Sequence, residues 1–215
     1  MNFFGHAWIA GWFSQQQPFV LGAMLPDLTS LLRLPAPASR HPGLSAGIRL
    51  HHDPDRAFHQ SRVFAGLEQR ARATLAALGL PKGPRRALAH VGVEFLIDEE
   101  LAQSAPSWSG YTSALQFGGS EPGRSALAWG SAEGEQRFAA LCRRLTTLAH
   151  VRADIPALIP RLFATLAGRP RLELEPEHAP LVSAWLGEAA PQVSVGLPEL
   201  LGELEAALKS WRGPW

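Results

Sequence analysis

Ala89-His90-Val91-Gly92-Val93-Glu94-Phe95-Leu96-Ile97-Asp98 is the stretch that decides the fold. Leu88, Val91, Phe95 and Leu96 recur at three- and four-residue steps, the period of one buried helical face. His90, Glu94 and Asp98 recur at four-residue steps, so they line a second stripe of the same helix. The spacing predicts a helix over Arg85–Gln103 with an apolar face and a face of metal-ligand types.

Working back toward the N-terminus, His51-His52-Asp53-Pro54-Asp55-Arg56-Ala57-Phe58-His59 packs six ionisable side chains into nine residues. Asp55 and His59 repeat the four-residue step. Asp53 suits an N-cap and Pro54 the first helical position, which predicts a helix from Pro54 to about Leu78. The alternative is one helix kinked at Pro54. Leu44–Leu50 reads as a short helix and the Pro-rich run Arg33–Gly43 as loop. Residues 2–13 read as a buried helix with Asn2 as N-cap. Phe19–Leu32 is apolar but broken at Pro26-Asp27, where Pro26 suits a first helical turn.

Beyond residue 103 the signals change. Residues 104–132 are rich in Gly, Ser and Pro and read as a long loop, a candidate lid. Glu133–Arg152, Ile155–Ala167, Ala179–Ala190 and Leu197–Trp211 read as helices. Arg171–Glu175 alternates but is too short for a strand. The expectation is a single all-α domain over 1–215: a metal-site half at 1–103, the loop, then helices at 133–215 as a candidate subdomain.

The totals narrow the function classes. The 215 residues are 46% hydrophobic and 18% charged, which suits a folded core. A net charge of +1 provides no field to attract nucleic acid. Cys142 is the only cysteine, which excludes an internal disulfide and a thiolate zinc site. No stretch reaches the ~18 apolar residues of a membrane span. The opening residues lack a basic signal-peptide start, so a cytoplasmic location is expected.

Imidazole and carboxylate together suit manganese, zinc or iron(II). Clustered carboxylates repel unless a cation neutralises them. The expected ligands are His6, Asp27, His51, Asp55, His90 and Glu94, converging on one pocket, with Asp55, His59 and Asp98 as catalytic groups. A divalent ion there points to phosphodiester hydrolysis. Each residue also has a plain structural reading: His6 as a core histidine, Asp27 as a helix-start residue, the 90–94–98 stripe as a solvated face. A helical module with a degenerate, non-catalytic pocket is the competing class. Arg62, Arg70, Lys82, Arg85 and Arg86 offer a basic rim, or are ordinary solvated charges.

The opening Met1-Asn2-Phe3, with His6 and Ala10, resembles that of the bacterial acyl carrier protein phosphodiesterases. Leu21-Gly22 with Asp27 is similar to a further segment of theirs. Gly47-Ile48-Arg49-Leu50-His51 followed by Asp55 matches their Gly-Ile-x-x-His-x-x-x-Asp motif in residues and spacing, and Glu94 and Asp98 fall where they carry two acids four apart. The resemblance covers roughly residues 1–102. It implies an HD-phosphohydrolase-like helical fold, a divalent metal (typically manganese), and hydrolysis of the phosphodiester joining 4′-phosphopantetheine to acyl carrier protein. His6, Asp27, His51, Asp55, Glu94 and Asp98 would be the metal and catalytic positions. The order His6, Asp27, His41, His51, Asp55, His59, His90, Glu94 is also similar to the zinc phospholipase C and single-strand nuclease family.

Overall fold

The structure, a computed structural model, describes residues 1–103, 105–148 and 155–211, the side chains of 105–108 excepted. The fold is all-α, as expected. In chain order the helices are α1 (Phe3–Ala10), α2 (Gln17–Leu32), α3 (Pro42–Gln60), α4 (Arg62–Ala77) and α5 (Lys82–Leu101). They continue with α6 (Ala105–Gly119), α7 (Glu121–Ser125), α8 (Ala132–Leu148), α9 (Ile155–Leu166) and α10 (Ala179–Leu208). Among the described residues the only sheet is an antiparallel pairing of β1 (Ala38–Ser39) with β2 (Leu127–Ala128). No helix among them is long and apolar enough to cross a membrane.

The chain falls into two compact units. The first holds Met1–Ala57, Leu101–Val151 and Ala207–Trp215; the second holds Phe58–Glu100 and Arg152–Ala206. These limits do not coincide with the expected halves at 1–103 and 133–215, because each unit takes helices from both.

In the first unit α1 packs on α2 and α6, and α2 packs on α6 and α8. Phe19, Leu21, Met24 and Leu28 of α2 are fully buried. Asn2 stands at the N-cap of α1 as expected, but its side chain makes no capping bond. The expected 104–132 loop is instead largely α6 and α7. Its small residues are contact surface: a Cβ on Gly118 would lie 2.9 Å from Cys142 Sγ and 3.2 Å from Leu21. Part of that stretch, including Ser104 and the Trp108 side chain, lies outside the described residues. So does the expected continuation of α8 to Arg152.

In the second unit α5 and α10 meet at Gly92, where a Cβ would sit 2.4 Å from the buried Trp185 ring. Arg70–Gln192 and Thr74–Glu188 hydrogen bonds tie α4 to α10. Arg161 of α9 reaches Glu99 of α5 at 2.8 Å and lies over the Phe95 ring. The second unit takes its Ser61 cap from residues that read as mid-helix: the expected helix from Pro54 to Leu78 is broken there, and Ser61 Oγ accepts from Phe64 N.

Four prolines sit inside helices where an end or a break was expected. α2 runs through Pro26, α3 through Pro54, and α10 through Pro191 and Pro198. Each removes one backbone bond. In α10 the buried positions Val182, Trp185, Ala189, Val193, Leu197 and Leu200 keep helical spacing across both prolines, which lie on the exposed side. Burial of that stripe outweighs the local penalty. Asp53 is accordingly a mid-helix residue paired with Arg56, not an N-cap.

Candidate functional site

The geometry begins with two glycines. A Cβ on Gly47 of α3 would lie 2.0 Å from the Phe19 carbonyl oxygen and 2.8 Å from Ala23 N. A Cβ on Gly22 of α2 would lie 2.3 Å from the Leu44 carbonyl oxygen. Without side chains at these positions, α2 and α3 cross backbone to backbone. That approach brings the His51 ring onto α2, where Nδ1 lies 2.8 Å from the Ala23 carbonyl oxygen. A carbonyl only accepts, so Nδ1 carries the proton and the Nε2 lone pair is left facing outward. Nε2 faces Asp27 Oδ1 at 3.9 Å.

His6 of α1 completes the group. Its ring stacks on that of His51 with centroids 3.9 Å apart. His6 Nε2 is 3.6 Å from Asp27 Oδ2 and 3.8 Å from Asp55 Oδ1. Asp55 Oδ1 also accepts from the Met1 amine at 3.1 Å. His6 is 1% exposed, yet neither of its ring nitrogens has a hydrogen-bond partner. Burial holds its imidazolium well below the ordinary range, and His51 pushes the same way. Burial also lowers His51, against the opposing pull of the Ala23 carbonyl. Both rings are therefore neutral at pH 7, the form that binds a cation. One donor atom from each of His6, Asp27 and His51 lies within 4.8 Å of the other two.

The second unit carries a further group, His59, His90 and Glu94, whose donor atoms meet the same 4.8 Å limit. His90 Nε2 is 3.3 Å from Glu94 Oε1, and His59 Nε2 is 3.9 Å from the same oxygen. The two imidazoles stack with centroids 5.1 Å apart. On its other side His90 Nδ1 is 3.3 Å from Glu68 Oε1, and Glu68 is held in turn by Arg72. The hydrogen bond to Glu94 is the main cause that raises the His90 pKa, against burial. Burial works to raise Glu94, but its bond to His90 helps bring it below the usual carboxylate range.

All the expected metal ligands thus stand in one of these two assemblies, each inside one unit: His6, Asp27, His51 and Asp55 in the first, His90 and Glu94 in the second. Of the expected catalytic groups, Asp55 lies beside His6 and His59 beside Glu94. Asp98 is buried at 7% exposure on α5, one turn beyond Glu94, and belongs to neither triad. His41 is elsewhere employed: its Nδ1 accepts from Gly43 N at the start of α3. The sequence reading missed Glu68. Nothing in the sequence set it apart: four residues before Arg72, it reads as a surface ion pair.

Each group has the donors a divalent ion takes from side chains, neutral imidazole and carboxylate. Atoms bound to one ion at ~2.0–2.2 Å stand about 3–4 Å apart, and the 3.6 and 3.9 Å separations around Asp27 fall in that range. The bond from His51 Nδ1 to a backbone carbonyl is the usual support of a metal-ligating histidine. Comparison with known protein families, with curated proteins and with solved structures finds no match for this chain.

Proposed function

We propose that this protein is a metal-dependent phosphodiester hydrolase of the acyl carrier protein phosphodiesterase kind, using manganese, zinc or iron. The observation that carries the reading is the first group, and His6 within it. A buried imidazole with both nitrogens unbonded costs about 1–3 kcal/mol per unsatisfied group. A cation between His6, Asp27 and His51 would remove that cost. Bound there, a divalent ion would acidify water and offset phosphate charge.

The chain's own residues supply the rest. Asp27 contributes negative charge to hold the cation. Ala23 fixes the His51 tautomer so that Nε2 is the ligating atom. Asp55, whose carboxylate is 39% exposed and 3.8 Å from His6 Nε2, is placed to accept a proton from water. The expected catalytic residues His59 and Asp98 stand in the second unit, beside Glu94 and one turn beyond it, and carry no step here. The competing reading, a polar cluster without turnover, draws on one observation in the second unit: His90 lies between two carboxylates, an arrangement that satisfies itself as an ion pair.

The test is metal analysis of the purified protein, with hydrolysis of bis(p-nitrophenyl) phosphate as the activity assay. Bound metal near one per chain or above, with both metal and activity lost in Asp27→Ala, is expected. Metal-free protein that manganese and zinc fail to stabilise thermally would refute the proposal.

A further inference from the structure

The second unit contains a groove of about 750 Å³ that has His90 of the second group in its lining and extends beyond it. Its walls carry five cationic side chains: Arg72, Lys82, Arg86, Arg169 and Arg171. The one carboxylate among the lining residues is Glu68, which is already engaged by Arg72 and His90. Lys82, Arg86, Arg169 and Arg171 have no acidic partner among the described residues. Among the described residues some cations outside the groove are paired, Arg62 with Glu203, Arg161 with Glu99 and Arg137 with Glu133, and others such as Arg33, Arg49 and Arg85 are not; what sets the four apart is that they gather on one groove. Like charges gathered without counter-charges repel, and an anion relieves that repulsion.

The corner bearing these charges is built rather than loose. Gly83 lies in the first turn of α5, and a Cβ there would sit 1.9 Å from the Arg171 carbonyl oxygen. The backbone after α9 is thus pressed against the start of α5. That backbone folds into a tight turn, with Gly168 at φ +71° and the amides of Leu172 and Glu173 both donating to the Arg169 carbonyl. The turn sets Arg169 and Arg171 beside Lys82 and Arg86. Lys82 and Gly83 are also the first residues of a twenty-residue helix, whose dipole favours negative charge at this end. Ala87, Val91, Leu166 and Leu172 add an apolar wall.

From this arrangement we infer that the groove binds a small soluble molecule carrying at least two phosphates on a partly apolar body. The dimensions favour a small molecule, since a groove of this volume matches ligand pockets of ~300–1,000 Å³. The charge favours phosphates: four uncompensated cations suit a multiply charged anion, and arginine forks pair with phosphate oxygens two at a time. A nucleic acid would need a wide field of positive charge, and the chain's net charge is +1. The inference does not rest on hydrolysis. A groove that binds such an anion stands even if the chain turns nothing over.

Calorimetric titration of EDTA-treated protein with inorganic tripolyphosphate tests it, the metal being removed because polyphosphates chelate. One-to-one binding is expected. Arg169→Ala and Arg171→Ala should each weaken it by about tenfold or more, the worth of a charge-assisted contact. Arg144→Ala, an exposed position of α8 that is not among the groove's lining residues, should leave it unchanged. These are exposed arginines, so the variants should fold, and circular dichroism verifies that. No binding up to about 1 mM, binding that survives both groove substitutions, or tighter binding of hexaglutamate than of tripolyphosphate would each overturn the inference. Hydrolysis is read separately, with metal present, so the two ideas fail independently.

Discussion

Replacing Gly47 with alanine should damage both stability and the first metal group. The added Cβ would meet three backbone atoms of α2: the Phe19 oxygen at 2.0 Å, Ala23 N at 2.8 Å and Gly22 Cα at 2.9 Å. Ordinary contact begins at 3.4 Å, so α2 and α3 must part by about 1.4 Å at this point. No side chain can rotate away to absorb the overlap. Overpacking typically costs ~1–3 kcal/mol, and a backbone collision belongs at or above the top of that range. Alanine returns ~1 kcal/mol in helix propensity. The net loss is about 2–3 kcal/mol, or about 4–12 °C in Tm for a chain of this size.

The same separation stretches the 2.8 Å bond from His51 Nδ1 to the Ala23 oxygen beyond useful length. Losing such an outer contact costs ~10–100-fold in metal affinity. Differential scanning calorimetry and metal titration read the two effects. Gly187→Ala is the control: nothing lies within 4 Å of its Cβ position, in the middle of α10. That variant should gain ~0.5–1 kcal/mol. A Gly47→Ala protein melting within about 2 °C of the parent and binding metal equally well would refute the reasoning.

Two further outcomes follow from buried groups. His6 and His51 have pKa values held below the ordinary 6.5, so the unfolded chain takes up protons that the folded chain refuses. Stability of the metal-free protein should therefore fall as pH drops below about 6.5 toward the lowered folded values. His90, raised, acts in the opposite sense, but its contribution is complete by about 6.5 and is lost only as pH rises above that, so below 6.5 His6 and His51 set the sign. Thermal melts between about pH 5 and 6.5 in EDTA check the sign, and a Tm flat or rising toward acid there would contradict it. Cys142 is fully buried, and burial pushes its thiol up to about 12. It should react with a disulfide reagent at least ~100-fold more slowly in the native state than in guanidinium, and prompt stoichiometric labelling of native protein would overturn that.

Much of the fold was legible because helical period survives local insult. The stripe through Leu88, Val91 and Leu96 marked α5, and three- and four-residue spacing marked α9. Where the sequence misled, a residue's local preference pointed one way and packing the other. Pro26, Pro54, Pro191 and Pro198 suggested ends, yet the apolar faces on either side belong to single helices. Gly118 and Gly119 suggested loop, yet their missing side chains let α6 lie close to Cys142, Leu21 and Arg143. His6, Asp27 and His51 could be proposed from residue type and apolar surroundings. Glu68 could not: a glutamate four residues before Arg72 reads as a surface pair, and only tertiary structure shows it bonded to His90. Arg169 and Arg171 were hidden in the same way, since a turn after a helix says nothing about which helix start it is pressed against.

The two groups share one wiring and differ in one partner, and that partner sets their protonation. In each, a histidine is held at Nδ1 and turns Nε2 toward a carboxylate: His51 toward Asp27, His90 toward Glu94. His51 is held by a backbone carbonyl, which carries no net charge, and burial keeps the ring neutral. His90 is held by Glu68, so both of its nitrogens face carboxylates that only accept. The imidazolium is the form that satisfies both, which agrees with its raised pKa. A cation entering the first group therefore displaces no proton from His51, whereas one entering the second must first drive a proton off His90. Metal affinity should then be the weaker and the more pH-dependent at the His59–His90–Glu94 group, because ligands must be deprotonated to bind. On this ground the His6–Asp27–His51 group is the stronger candidate for a resident metal near neutral pH.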